Sequence, residues 1–471
     1  MFGLDAGLTI LLIVCLLAVC TFEFINGFHD TANAVATVIY THSLKPRIAV
    51  IWSGFWNFAG VYTGGIAVAM GIVNLLPTEA LVDQNLYHGI SMILALLITA
   101  VLWNFGTWYF GIPCSSSHSL IGSIFGVGVA YMLLPDAHSV AMNWTKIEDT
   151  GLSLLISPLI GFGLAMSLML LLKLLLKKNK IFKEPSTSKA PPLWIRSILV
   201  LTCTSVSFSH GSNDGQKGVG LVMIILIGIL PAYFALDHTK NPATLFANAS
   251  QIQTLTKKID TLKLSDLDMA EYMTITKKTD TILKYTNKIS SFESVPSGKR
   301  FEIRKDIIVI GKSLDKLLAS QTARTGLTLN REEISKLKAF VKENKTYTEY
   351  APWWVILMIS ISLGLGTMIG WKRIVVTIGE KIGKTHLTYA QGASAELIAA
   401  GTITLSTALG LPVSTTHVLS SGVAGTMVAD SGFKNLQAKT VRNIAIAWLI
   451  TLPVTFVVSG GLFLLLRWIM A

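Results

Sequence analysis

The chain has 471 residues, of which 51% are hydrophobic and only 14% are charged, whereas a soluble protein carries roughly 25% charged residues. The charges are unevenly spread, because residues 238–350 hold 20 of the 39 Lys and Arg residues and 13 of the 27 Asp and Glu residues. This pattern excludes an ordinary soluble enzyme and predicts a polytopic membrane protein with one soluble insertion. The net charge of +12 does not indicate nucleic acid, because basic residues cluster at 173–196 as they do in cytoplasmic loops.

Apolar segments follow one another along the rest of the chain. A helix that crosses a bilayer needs about 20 apolar residues, and about 10 to 12 membrane segments are predicted on this basis. Several are short, rich in Gly or interrupted by Pro, which predicts broken or re-entrant helices in an all-α fold. The segments are 7–26, 28–40, 48–74, 88–110, 112–134, 151–172, 194–212, 215–236, 351–371, 388–410, 411–430 and 440–470.

Two motifs occur twice in the sequence. Phe24–Asp30 matches Phe208–Asp214 at an offset of 184 residues, and Gly111–His118 matches Gly410–His417 at an offset of 299 residues. The charged insertion accounts for the difference between the two offsets. The sequence therefore predicts two homologous halves.

The predicted organisation follows from this repeat. The domains are an N-terminal transmembrane repeat at 1–172, a basic cytoplasmic linker at 173–193, and a C-terminal transmembrane repeat at 194–471 that is interrupted by the insertion at 238–350. Ile307, Ile310 and Leu314 recur at helical spacing within the insertion, so we predict a small helical bundle there. The sequence leaves open its role and its side of the membrane.

Ionisable groups at membrane depth are expensive and are by default functional. Asp30 and Asp214 are related by the repeat, so each half contributes one carboxylate. We expect a cation or proton site at the interface of the repeats, where transporters of this kind place their sites. The alternative is a pair of carboxylates that only cap broken helices. Glycines beside them, such as Gly27 and Gly211, predict unwound backbone.

The second repeated motif reads Pro-x-Ser-(Ser/Thr)-(Ser/Thr)-His and opens an apolar segment in each half. Hydroxyl groups at a helix start, together with free backbone N–H groups, form an anion site, although N-capping alone is the simpler interpretation. Two carboxylates nearby would repel an anion unless a cation were also bound. The combination predicts co-transport of an oxyanion with a cation, a proton or a divalent metal.

The repeat has one asymmetry that bears on coupling. Asn33 in the first half corresponds to Lys217 in the second half. An ammonium group is a fixed positive charge, whereas a neutral amide is an ion ligand. Our hypothesis is that Lys217 takes the place of a coupling sodium ion or neutralises substrate charge.

Three segments carry a family likeness. Asn26–Ala34 reads Asn-Gly-Phe-His-Asp-Thr-Ala-Asn-Ala, Gly211–Asp214 reads Gly-Ser-Asn-Asp, and Leu411–His417 reads Leu-Pro-Val-Ser-Thr-Thr-His. They resemble the signatures of the Pit inorganic phosphate transporters, and the likeness covers both halves and spares only the insertion. Phe28–Asp30 and Asp214–Lys217 look most like the bacterial low-affinity branch. This resemblance implies phosphate transport with protons, partly as a neutral metal-phosphate complex, inverted repeats and a homodimer.

The sodium-coupled relatives have Gly-Ala-Asn-Asp-x-Ala-Asn in both halves. Here His29 replaces the first Asn, and Lys217 replaces the last Asn of the second copy. These departures favour proton coupling over sodium coupling. Glu396 falls where the sodium-coupled relatives have a functional carboxylate, and Asn57 stands at the matching position of the first half.

These observations predict a secondary active transporter that imports inorganic phosphate by proton symport across the inner (plasma) membrane of a bacterium. The predicted phosphate-binding residues are Ser115, Ser116, Ser414, Thr415, Asn33, Asn213, Gln216 and Lys217. The predicted residues for cation or proton coupling are Asp30, Asp214, His29 and Glu396. Asp30 and Asp214 are also the predicted contacts of a transient divalent metal (Mg, Ca, Zn or Mn) that travels with phosphate. No tightly bound cofactor is predicted.

Other functions compete with this interpretation. A sodium-coupled phosphate symporter, or a transporter of another oxyanion such as sulfate, would use the same donors. An intramembrane hydrolase would need a base and an orienting group behind its nucleophile, and Ser115 with His118 lacks an evident third member. A passive channel or a receptor would not accumulate substrate or need both Asp residues. His118 and His417 either relay protons or brace the two segments in which they lie.

Overall fold

The computed structural model describes residues 4–76, 86–135, 142–177, 180–185, 190–320, 329–370, 372, 374–375 and 382–470, except for the side chains of residues 31, 33 and 86–88. Helices dominate this part of the chain. Its only β-type pairing is an isolated bridge between Gly383 and Leu436. The prediction of an all-α fold is therefore confirmed.

Seventeen α-helices are numbered here in chain order within the described ranges. They are α1 Ala6–Tyr40, α2 Pro46–Thr63, α3 Ala67–Val73, α4 Leu86–Tyr109, α5 Ser116–Met132, α6 Trp144–Leu176, α7 Leu193–His210, α8 Gln216–Ile229, α9 Pro231–Phe234, α10 Pro242–Thr256, α11 Asp266–Thr286, α12 Ser297–Ala319, α13 Arg331–Lys345, α14 Trp353–Met368, α15 Tyr389–Ala408, α16 Thr415–Ser431 and α17 Ala438–Met470. The chain forms two compact units, one of residues 1–225 with 351–471 and one of residues 226–350.

Four helices of the larger unit are long and apolar enough to cross a membrane. They lie at Ala6–Tyr40, Gly89–Tyr109, Trp144–Leu176 and Ala438–Met470, and the bent pair α2 and α3 is a fifth candidate. This finding supports the multi-pass membrane assignment. The higher number of membrane segments from the sequence includes shorter helices and stays a prediction.

The helix breaks differ in part from those expected. The sequence suggested separate segments on either side of Gly27, but α1 runs through this residue without a break. Gly27 is needed for packing instead, because a Cβ atom there would lie 2.5 Å from the carbonyl oxygen of Leu363 on α14. A break does occur between α2 and α3, where the axis bends by 70° and Gly65 has a φ of +81°.

A second irregularity lies where α7 meets α8. Gly211–Gly215 forms one turn of π-helix, a local widening that is often found at functional sites. This turn carries Asn213 and Asp214. The backbone at Gly211 and Gly215 is therefore irregular, as the sequence suggested, but it stays helical.

Glycines bring helices of the two halves into backbone contact. On α5, a Cβ atom at Gly126 would collide with the carbonyl oxygen of Phe456 on α17. On α6, a Cβ atom at Gly161 would lie 2.5 Å from the carbonyl oxygen of Val418 on α16. Small residues at such crossings let membrane helices approach closely. The inverted relation between the halves remains a prediction.

The smaller unit is a helical bundle, as its sequence periodicity predicted. Buried apolar residues of α11, α12 and α13, among them Ile275, Ile303 and Leu337, form its core. Arg304 is only 1% exposed and donates to the carbonyl oxygens of Ala235 at 3.2 Å and Thr348 at 2.7 Å. Burial lowers the pKa of Arg304 to about 10. One side chain therefore holds together the beginning and the end of this unit.

We expect Gly126→Ala to destabilise the packing of α5 on α17. The added methyl group would meet the backbone carbonyl group of Phe456 as well as Ser459 Oγ, so the backbone itself would have to shift, and overpacking of this kind costs about 1–3 kcal/mol. The melting temperature of the purified protein in detergent should fall. Gly461→Ala on α17 is the matched control, because no atom lies within 4 Å of a Cβ there. Equal melting temperatures for both variants would contradict the packing argument.

We expect Arg304→Met to loosen the smaller unit. The substitution leaves two buried carbonyl groups without their donor, and each unsatisfied group costs about 1–3 kcal/mol. Amide hydrogen exchange across residues 226–350 of the full-length protein should become faster. Lys312→Met is the control, because Lys312 is exposed on the same helix. Unchanged exchange in Arg304→Met would show that Arg304 does not hold the two ends together.

Candidate functional site

Two carboxylates from opposite halves meet inside the larger unit. Asp30 lies on α1 and is 2% exposed, whereas Asp214 lies in the π-turn and is fully buried. Ligand atoms of Asp30, Asp214 and His210 lie within 4.8 Å of one another. The structure therefore brings together the two carboxylates that the repeat singled out.

Hydroxyl groups from both repeated Ser/Thr motifs face these carboxylates. Ser116 donates from Oγ to Asp214 Oδ2 at 3.4 Å. Thr415 donates from Oγ1 to Asp30 Oδ2 at 3.3 Å, and Thr416 donates to Asp30 Oδ1. Each motif thus reaches the carboxylate that belongs to the other half of the chain.

The first serine of each motif caps the helix that follows. Ser115 Oγ accepts the backbone N–H of His118 at 3.2 Å, and Ser414 Oγ accepts the backbone N–H of His417 at 3.1 Å. The cap hydroxyls are therefore engaged in the helix starts, while the following residues face the carboxylates. The rings of His118 and His417 lie 4.4 Å apart between centroids, a contact that joins the two motifs.

Lys217 is the buried cation of the site. Its side chain has no solvent exposure, and its Nζ atom donates to Asp214 Oδ1 at 2.6 Å, to Ser117 Oγ, and to the carbonyl oxygen of Val413 at 3.1 Å. All three donors of an ammonium group are thus used. Lys217 neutralises Asp214 and also ties together the starts of α5 and α16.

His210 is an ionisable residue at membrane depth that belongs to this cluster, although it is not among the predicted phosphate-binding or coupling residues. The orientation of Asn57 follows from its Nδ2 atom, which donates to Thr367 Oγ1 at 3.2 Å. Asn57 Oδ1 therefore accepts from His210 Nδ1 at 2.7 Å. His210 Nε2 then points at Asp30 Oδ2 and Asp214 Oδ2, each at 3.6 Å.

This orientation of His210 has an electrostatic consequence. In the neutral ring with its proton on Nδ1, Nε2 presents a lone pair to two carboxylates. Such an arrangement is unfavourable unless a cation lies between them, either a proton on Nε2 or a metal ion. The signal in the sequence was the spacing of four residues between His210 and Asp214, which places both on one helix face.

His29 and Asn213 occupy matching positions in the repeat and both contact neighbouring helices. His29 Nδ1 lies 3.4 Å from Asp30 Oδ1, and its Nε2 lies 3.4 Å from Thr107 Oγ1 on α4. Asn213 donates to Thr407 Oγ1 on α15 at 2.9 Å and accepts the backbone N–H of Val413 at 3.3 Å. The Asn213 amide is thus engaged in positioning the second motif.

For three further residues of the predicted site, the described part of the structure shows no contact with the two carboxylates. Gln216 accepts the N–H of Val68 at 2.8 Å and donates to the carbonyl of Gly64 at 2.8 Å, so it bridges the break between α2 and α3. Glu396 accepts from Thr202 Oγ1 on α7 at 2.5 Å. The side chain of Asn33 falls outside the described residues. The roles predicted for these three residues in phosphate binding or coupling stay predictions.

A buried cluster of carboxylates, hydroxyls and one ammonium group, held between apolar helices, is typical of a membrane transporter. Comparison with known proteins agrees. Residues 26–459 match the family described as the phosphate transporter family, and the chain belongs to this family. The resemblance inferred from the motifs is therefore confirmed, and the protein is a transporter and not an enzyme.

Curated relatives match along nearly the whole chain. The chain is 41% identical to a low-affinity inorganic phosphate transporter of Buchnera aphidicola subsp. Acyrthosiphon pisum, over 98% of this chain and 97% of the relative. It is 40% identical to the low-affinity inorganic phosphate transporter PitB of Escherichia coli, with the same coverage. A solved structure described as the sodium-dependent phosphate transporter superposes with a TM-score of 0.53 at 20% identity, over 98% of this chain and 99% of that chain. This last likeness shows a shared fold.

We expect Lys217→Met to destabilise the larger unit strongly. Removal of one partner of a buried ion pair leaves an uncompensated charge and costs about 3–5 kcal/mol, and here that charge is Asp214. The melting temperature in detergent should drop, and the additional substitution Asp214→Asn should restore most of the loss. A double variant that is as unstable as Lys217→Met would show that the ion pair is not the source of the effect.

Proposed function

We propose that this protein imports inorganic phosphate by proton symport and accepts it partly as a neutral complex with a divalent metal. The observation that carries the proposal is the arrangement of Asp30, Asp214 and His210 Nε2 beside the hydroxyl-lined starts of α5 and α16. Carboxylates attract a cation, whereas hydroxyl groups and helix N-termini attract an anion. A site with both properties suits a cation and an oxyanion that bind together.

The metal would be cargo that travels with phosphate. Two carboxylates and one imidazole supply oxygen and nitrogen ligands within 4.8 Å of one another. Carboxylates suit Mg, Ca and Mn, whereas imidazole suits Zn. A divalent ion at this point would neutralise Asp30 and Asp214 and would remove the repulsion that they exert on an anion.

The phosphate would lie against the hydroxyl groups of Ser116 and Thr415, with the backbone N–H groups of α5 and α16 behind them. Hydrogen phosphate has an O–H group that needs an acceptor, and Asp30 or Asp214 can supply one. Sulfate has no such proton at neutral pH. The buried carboxylates therefore favour phosphate over sulfate as the substrate.

Lys217 supports proton coupling. It places a permanent positive charge at the position that matches Asn33 in the repeat, so a coupling sodium ion would meet an ammonium group there. His29 and Glu396 remain candidates for proton coupling, together with Asp30 and Asp214. We further propose that the protein forms a homodimer in the inner membrane of a bacterium.

Uptake of radiolabelled phosphate into proteoliposomes tests the proposal. A proton gradient should drive accumulation in the absence of sodium, and added Mg, Ca, Zn or Mn should increase it. Liposomes without a gradient serve as the control for passive entry. Uptake that requires sodium would overturn proton coupling, and sulfate uptake without phosphate uptake would overturn the substrate.

The imidazole ligand predicts a shift in metal preference. His210→Asn replaces the imidazole with an amide, whose oxygen suits Mg better than Zn. Zn-dependent phosphate uptake should therefore fall roughly tenfold, while Mg-dependent phosphate uptake should fall less. His386→Asn is the control, because His386 is exposed in the same unit. An equal loss with both metals would argue against His210 as a metal ligand.

A further inference from the structure

Glu23 on α1 is a buried carboxyl group to which the proposed mechanism gives no role. Its side chain has no solvent exposure. Oε2 accepts from Asn26 Nδ2 at 3.3 Å. The backbone N–H of Gly218 approaches the carboxyl group, yet Oε1 has no hydrogen-bond partner among the residues that the structure describes. A carboxylate left in this state inside a membrane protein needs an explanation.

The space for this carboxyl group is created by a glycine on α8. A Cβ atom at Gly218 would lie 2.5 Å from Glu23 Cγ and 2.6 Å from Glu23 Oε1. Gly218 directly follows Lys217, so Glu23 packs against the backbone that carries the buried cation. The titratable and charged groups that act on Glu23 are Lys217 and Asp214 from the second half and Cys20 from its own helix.

The charges of this region do not balance if Glu23 is ionised. The ammonium group of Lys217 already donates to Asp214, Ser117 and Val413, so it has no donor left for Glu23. An ionised carboxylate without a cationic partner is very costly in an apolar interior, and such a group takes up a proton instead. In the arrangement that the structure describes, Glu23 is therefore neutral.

We propose that Glu23 is the group that carries the coupling proton, an inference that rests on the proposed proton symport. Glu23, Asp214 and the phosphate are three anionic groups that compete for one ammonium group. When metal-phosphate is bound, the metal occupies Asp214 and the phosphate occupies Lys217, so Glu23 keeps its proton. When the substrate leaves, Lys217 stays paired with Asp214 but can exchange its contact with Ser117 for one with Glu23, so Glu23 can lose its proton to water and share the ammonium group.

The competition gives the coupling its direction. Phosphate binding removes Lys217 from Glu23 and thereby favours the protonated carboxyl group, and by reciprocity the proton on Glu23 favours phosphate binding. One proton enters from the outer solution with the substrate and leaves to the inner solution after it. Substrate and proton thus move in the same direction, as symport requires.

Glu23→Gln separates transport of phosphate from its coupling to protons. Glutamine resembles the neutral carboxyl group, so the loaded protein should still cross the membrane and exchange internal for external phosphate. It cannot release a proton, so the empty protein should not return. Accumulation driven by a proton gradient should therefore fall roughly tenfold or more relative to wild type, while phosphate exchange should stay within about twofold of it.

The experiment compares wild type, Glu23→Gln and Glu148→Gln in proteoliposomes that are loaded with phosphate for exchange or kept empty for gradient-driven uptake. Glu148 is exposed on α6, so its substitution should leave both assays unchanged. Glu23→Asp keeps a titratable group and should retain net uptake with a shifted pH profile. This variant keeps the test decisive if Glu23→Gln does not fold.

The outcomes are distinguishable. Loss of net uptake with exchange preserved in Glu23→Gln, or a shifted pH profile in Glu23→Asp, supports Glu23 as the proton carrier. If wild type and Glu23→Gln both accumulate phosphate in response to a proton gradient, Glu23 is not the proton carrier, although proton symport itself is supported. A wild type that does not respond to a proton gradient overturns the proposed symport, and this inference fails with it.

Discussion

The structure depends on the burial of two negative charges in one place. Asp30 and Asp214 come from opposite halves of the chain, and neither could remain ionised in an apolar interior without compensation. The surrounding residues supply it: Lys217 pairs with Asp214 at 2.6 Å, and hydroxyl groups of α5 and α16 donate to both carboxylates. The same compensation brings the starts of α5 and α16 together, so the electrostatic constraint also fixes the centre of the fold.

The sequence allowed the main features of this centre to be predicted. The repeated Asp at an offset of 184 residues identified the two carboxylates, and the second repeat identified the hydroxyl groups. Asymmetry between Asn33 and Lys217 pointed to the buried cation. These features were accessible because they depend on residue type and on the repeat, both of which can be read from the chain directly.

Other features depend on helix phase and on long-range partners, which one sequence does not contain. The N-cap falls on Ser115 and Ser414, and the phase of the helices that follow turns Thr416 toward Asp30. His210 reaches the carboxylates because Asn57, 153 residues away in sequence, fixes its ring. The continuous course of α1 through Gly27 was missed because glycine signals either a break or a close approach, and only the position of α14 decides between them.

The glycine crossings restrict how this protein can change its shape. Where Gly126 meets Phe456 and Gly161 meets Val418, a backbone carbonyl group of one helix lies directly against the glycine of the other, so backbone atoms resist sliding of the two helices past each other. Each crossing joins a helix of the first half to a helix of the second. The two helices of each crossing, one from each half, therefore move together when the site opens. The hinges of that motion lie outside these helix pairs, in irregular backbone such as the bend at Gly65.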